Sequence, residues 1–156
     1  MSSLTKKQLS HWRTYLETSL ALIDILDAEL QADTKLTLVW YDALVHLEDA
    51  TDGVGMTELA NRILASKSGL TRVIDRMESA GLVRRERPPE DRRVVKVFLT
   101  PEGATTLRDA RVVHHRGIQE HFVQHLSAPE LAFLADALQA VREHVRPLRP
   151  GRISSS

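Results

Sequence analysis

Between Ser66 and Ala80 the sequence SKSGLTRVIDRMESA divides into two faces when wound as a helix. Leu70, Val73, Ile74 and Met77 follow the i, i+3, i+4, i+7 spacing of a face seated on a core. The opposite face carries Lys67, Ser68, Thr71, Arg72, Asp75, Arg76 and Ser79. Cations mixed with small hydroxyls differ from the Glu-Lys alternation of a helix that is merely solvated. Hydroxyls and a helix N-terminus donate hydrogen bonds to phosphate oxygens, and an arginine can bind guanine O6 and N7 together. A second cationic group, Arg92 and Arg93, lies between two runs rich in β-branched residues, at what reads as a projecting turn. The negative potential of a narrow minor groove suits such side chains, with Arg84, Arg85 and Arg87 in support. The competing interpretation of the turn is protection of a sheet edge by prolines and charges. For the protein as a whole it is a module that docks an acidic protein partner or serves as a scaffold without specific DNA binding.

Other chemistries find little support. The 156 residues include no cysteine, which excludes disulfides, thiolate metal sites and cysteine nucleophiles. No G-x-S-x-G, H-E-x-x-H or phosphate-loop pattern occurs, so a non-enzyme is expected. Gly53-Val-Gly55 lacks the third glycine of a nucleotide-binding loop and reads as a turn. His114, His121 and His125 share a helical face, and the last two have i, i+4 spacing, but without a recognisable carboxylate motif no metal or cofactor is expected. Their titration near neutrality points instead to a pH-sensitive interface. The zero net charge conceals a gradient: residues 1–57 carry 4 Lys+Arg against 9 Asp+Glu, residues 58–96 carry 10 against 6, and residues 97–156 carry 7 against 6. A basic middle is the footprint of a local phosphate-binding surface. With no apolar run of membrane-spanning length, a cytoplasmic protein with no membrane partner is expected.

The elements that must hold these groups can be read from periodicity. Leu9, Trp12, Leu16, Ser19, Ile23, Leu26 and Leu30 recur in steps of three and four, a long helix with a heptad-like seam. Thr37 caps a second helix from Leu38 to about Ala50, and a short helix runs from Thr57 to about Ile63. Ser66 is the expected N-cap of the two-faced helix, and Gly81 its terminator. Residues 82–87 and 94–99 read as a two-stranded ribbon. Thr100-Pro101 starts a helix expected to reach about His125. Ser127 and Glu130 form a capping box, with Leu126 and Leu131 as its staple, for a last helix whose seam is Leu131, Leu134, Leu138, Val141 and Val145. The composition of residues 147–156 predicts disorder.

The segment MTELANRILASKSGLTRVIDRMESAGLVRRERPPEDRRVVKVFLTPEGATTL resembles the winged helix of the MarR (multiple antibiotic resistance regulator) family, including Asp91-x-Arg93, Leu99-Thr100 and Pro101-Glu102-Gly103. The likeness extends over about residues 9–145. It implies a mainly α fold with a winged helix-turn-helix lobe at 37–100, its recognition helix at 66–80 and its wing at 82–99. Residues 1–36 and 101–146 would supply a helical dimerisation lobe, in agreement with the two seams, which one small core cannot bury. By this resemblance Ser68, Thr71, Arg72 and Arg76 face double-stranded DNA, while Arg93, oriented by Asp91 and aided by Arg92, enters the minor groove. The protein would be a homodimeric transcriptional regulator on a pseudo-palindrome, most often a repressor. The family also implies release by a small aromatic or phenolic acid effector. Trp12, Arg13, Tyr41 and His114 offer the aromatic surface and cationic donors such a ligand needs.

Overall fold

The computed structural model describes residues 3–63, 67–89 and 91–145, with only the backbone at Lys67 and Ser68. Six α-helices and a small sheet follow in the order α1 (Lys6–Thr34), α2 (Leu38–Glu48), β1 (Val54–Gly55), α3 (Met56–Arg62), α4 (Lys67–Ser79), β2 (Val83–Glu86), β3 (Lys96–Leu99), α5 (Pro101–His121) and α6 (Ala128–Val145). The expected N-cap Ser66 and the tail from 147 lie outside the described residues.

Capping chemistry explains most boundaries. α1 begins earlier than its apolar seam, because Thr5 and Gln8 form a reciprocal capping box, with Gln8 N–H donating to Thr5 Oγ1 at 3.2 Å and Thr5 N–H to Gln8 Oε1 at 2.8 Å. Thr37 caps α2 through the Trp40 N–H, and Asp27 of α1 accepts the Leu38 N–H at 2.6 Å, pinning the two helices at their junction. Gly81 ends the two-faced helix with φ +75° while Leu82 N–H reaches back to the Met77 carbonyl, a left-handed stop that favours glycine. Ser127 and Glu130 make the expected box at the start of α6.

Two expectations need correction. The ribbon is part of a three-stranded antiparallel sheet, ordered β1-β3-β2, because Val54 and Gly55 pair with Val97 and Lys96. Two residues are too few to show a strand period. α5 stops at His121 rather than His125: Phe122 leaves helical geometry at φ −132°, and Val123–His125 form a separate 3-10 turn. His125 therefore does not share the helical face of His114 and His121, and its Nε2 meets the Glu120 carbonyl at 3.1 Å.

The core joins α1, α2, α3, α4, the sheet and α5 through Leu30, Leu44, Leu59, Ile74, Val97 and Leu107, all fully buried. α5 enters it tightly. A Cβ on Gly103 would collide with the Leu82 carbonyl, and Thr100 donates its N–H to that carbonyl at 3.2 Å and its hydroxyl to the Gly81 carbonyl at 2.6 Å. The ribbon's root is thus fixed to the helix leading away from it. No described helix is long and apolar enough to cross a membrane.

Candidate nucleic-acid interface

α4 is positioned by its apolar stripe. Leu70, Ile74 and Met77 are buried at 2% exposure or less, and Val73 is half-buried beside them. Their burial turns Thr71, Arg72, Asp75, Arg76 and Ser79 outward, all exposed. This is the division expected from the sequence, and it exists because a 3.6-residue period can bury only one side of a helix. Neither Arg72 nor Arg76 forms an ion pair with a described residue. A helix of this width fits a major groove about 12 Å wide.

The wing tip is built from backbone hydrogen bonds. Asp91 N–H donates to the Pro88 carbonyl at 3.2 Å and Val94 N–H to the Asp91 carbonyl at 3.2 Å, so Arg92 and Arg93 occupy the turn and are exposed. Asp91 Oδ1 accepts the main-chain N–H of Arg93 at 3.0 Å. The carboxylate therefore orders the backbone of Arg93, as an Asx turn does, and leaves the guanidinium unpaired with any described residue. Arg87 Nη1 donates to the Arg92 carbonyl at 3.0 Å and closes the ribbon just below its tip.

The remaining wing arginines differ in role from the sequence expectation. Arg84 lies over the Phe98 ring, 4.4 Å from its centroid, and pairs with Glu86. Arg85 points back to α4, where it meets Glu78 at 2.7 Å and Asp75 at 2.7 Å. Hydrogen bonds from Arg85 hold the Glu78 carboxyl below the usual carboxylate range, and the same bonds raise the Arg85 guanidinium. Sequence reasoning missed this contact. Its signal was the presence of Asp75 and Glu78, one turn apart, on an otherwise basic helix.

The four residues expected to hold an effector are not brought together in one protomer. Tyr41 is buried, and its ring lies 4.5 Å from that of His114. Arg111, which the sequence did not single out, hydrogen-bonds both Glu48 oxygens close to this pair. Burial raises the Tyr41 phenol, partly opposed by Arg111, and burial lowers the His114 imidazole, whose Nδ1 has no hydrogen-bond partner. Trp12 is 56% exposed and Arg13 pairs with Glu17 at 3.6 Å. α5 runs antiparallel to α1, with His121 against Glu29 at 2.6 Å and Arg116 against Asp33 at 2.9 Å, which puts His114 beside the C-terminal end of α1. At 1.5 Å per residue Trp12 is then about 30 Å away. Glu29, Glu120 and His121 also place potential metal-ligand atoms within 4.8 Å of one another; Glu29 Oε1 already meets His121 Nε2 there, while Glu29 Oε2 is buried without a hydrogen-bond partner among the described residues.

Comparison with known proteins agrees with this geometry. The MarR family model matches residues 34–94. The chain resembles AbsC, a MarR family transcriptional regulator from Streptomyces coelicolor, with 36% identity and a TM-score of 0.86 over 94% of this chain and 99% of that one. It also resembles Sco3205, a MarR family transcriptional regulator from the same organism solved in complex with DNA, with 30% identity and a TM-score of 0.88 over 100% of this chain and 97% of that one. The HTH-type transcriptional regulator YdgJ of Bacillus subtilis is 26% identical over 121 residues, 78% of this chain and 73% of YdgJ.

Proposed function

This chain belongs to the MarR family of transcriptional regulators, and we propose that it acts as a homodimeric, ligand-responsive repressor on a pseudo-palindromic operator. The observation that carries the reading is the exposed Thr71, Arg72 and Arg76 face of α4, backed by buried Leu70, Ile74 and Met77, with Arg92 and Arg93 on the projecting turn beside it. In the proposed complex two copies of α4 enter successive major grooves about 34 Å apart. Thr71 and the start of α4, with Ser66, Lys67 and Ser68, hold phosphates, Arg72 and Arg76 reach base edges, and Arg93 with Arg92 enters the flanking minor groove. The α1 and α6 seams form the dimer lobe.

The effector reading centres on Tyr41, His114 and Arg111, where an acidic aromatic ligand would compete with Glu48 for the guanidinium. Trp12 and Arg13 take part only if a second copy carries them to that site. A ligand bound there represses or releases DNA only through different affinities for two spacings of the winged lobes.

Selection of bound DNA from a genomic library with the purified protein, followed by salt titration on the recovered site, tests the whole reading. A near-palindromic site with steeply salt-dependent affinity is expected. Weak, sequence-blind binding would hand the lead to docking of an acidic protein partner. On the recovered site Arg76→Ala is expected to cost about 1 to 3 kcal/mol, and much less on scrambled DNA, if it reads a base.

A further inference from the structure

Arg85 is the one described wing-strand arginine that faces the recognition helix and not the solvent. It lies on β2, paired in register with Val97 of β3. Its Nε and Nη2 donate to Glu78 Oε2 at 2.9 and 2.7 Å, its Nη1 meets Asp75 Oδ1 at 2.7 Å, and its main-chain N–H donates to Glu78 Oε1 at 2.8 Å. One residue therefore joins the ribbon to α4 through side chain and backbone at once. The two acceptors stand three residues apart, on one face of the helix, so the planar fork of the guanidinium bridges two successive turns. A lysine ammonium has the charge but not the fork.

We infer that Arg85 is a positioning residue that fixes the angle of the wing to the recognition helix, so that Arg93 meets the minor groove while α4 occupies the major groove. This rests on the DNA-contact reading above. The wing is a lever: from Arg85 to the tip the ribbon extends roughly 15 Å, so a tilt of about 10° at its root moves Arg93 by roughly 2.6 Å, more than a hydrogen bond tolerates. The ribbon is also tied at its base by Thr100 to the Gly81 and Leu82 carbonyls and along β3 by its pairing with β1, while the Arg85 side chain ties β2 directly to α4. The same contacts pair two carboxylates that otherwise stand beside DNA phosphates on the exposed side of α4.

The experiment is a double-mutant cycle on operator affinity with the full-length protein, using Arg85→Lys, Arg93→Ala and the combination, with thermal unfolding of each variant. Arg93→Ala is expected to weaken binding roughly tenfold in the wild type but less than about threefold in the Arg85→Lys background, because a mispositioned wing no longer delivers Arg93. Equal penalties in both backgrounds overturn the clamp, since a residue that only stabilises the fold or neutralises charge leaves the Arg93 contribution intact. No loss from Arg93→Ala in the wild type sinks the minor-groove reading and the clamp with it. Should Arg85→Lys fail to fold, Glu78→Gln removes the charged acceptor from the helix side and is expected to show the same coupling.

Discussion

The winged lobe and the two outer helices solve the burial problem in opposite ways. Around α4 the described large apolar residues find partners within the chain: Leu59, Ile63, Ile74, Met77 and Val97 have no measurable exposure. Along α1 and α6 the apolar seams stay open, with Trp12, Ile23 and Val141 each more than half exposed, Leu20 and Phe133 exposed beside them, and no buried residue anywhere in α6. α6 borders α1 along a groove lined by Tyr15, Leu138, Val141 and Val145 without closing it. The apolar surface around α4 is therefore closed within one chain, with Leu30 of α1 and Leu107 of α5 in the same core. The other presents an extended exposed apolar surface, the face that the proposed homodimer would cover.

Three substitutions test that contrast. Ile74→Ala empties a fully buried site beneath the recognition helix and is expected to cost about 2 to 5 kcal/mol in denaturant unfolding, with the association constant of the folded protein unchanged. Ile23→Asp places a charge on the exposed α1 seam. It is expected to leave the fold intact, shift the protein to monomers in sedimentation and weaken operator binding by on the order of 100-fold, because two linked half-sites become independent. A variant that remains dimeric would separate the seam from assembly and undo the comparison.

The smallest effect concerns the junction of the two regions. His114 is held neutral, with its pKa below the free value, first by burial and then by the neighbouring His115. The unfolded chain then takes up a proton more readily, so stability is full above the unfolded value of about 6.5 and declines as pH falls below it. His114→Gln is expected to flatten that acid-side decline in the melting temperature while leaving the alkaline side unchanged. Parallel pH profiles for the two proteins would show that His114 does not titrate with unfolding.

Much of this molecule is legible in the sequence because its signals are local. The caps Thr37, Thr100 and Ser127 act within three residues, Gly81 marks its own turn, and the stripe of α4 needs only a helical period. The outward set Thr71, Arg72 and Arg76 follows from that stripe by geometry. Contacts between distant residues leave no such trace. β1 exists only because β3 passes beside it, α5 ends where Phe122 leaves helical geometry, and the packing of Tyr41 on His114 joins helices far apart in the chain.

Residue order alone carries which faces are apolar, where the capped helices start, and that a basic helix and a basic turn follow one another. What each charge is for depends on how the elements pack. Arg85 and Arg93 are the same residue type eight positions apart on one ribbon, yet one is drawn back to Asp75 and Glu78 while the other is left in solvent by the turn that Asp91 orders. The partner of an arginine is set by which carboxylates the fold brings within hydrogen-bond reach, and that distance is a property of packed elements, not of residue order.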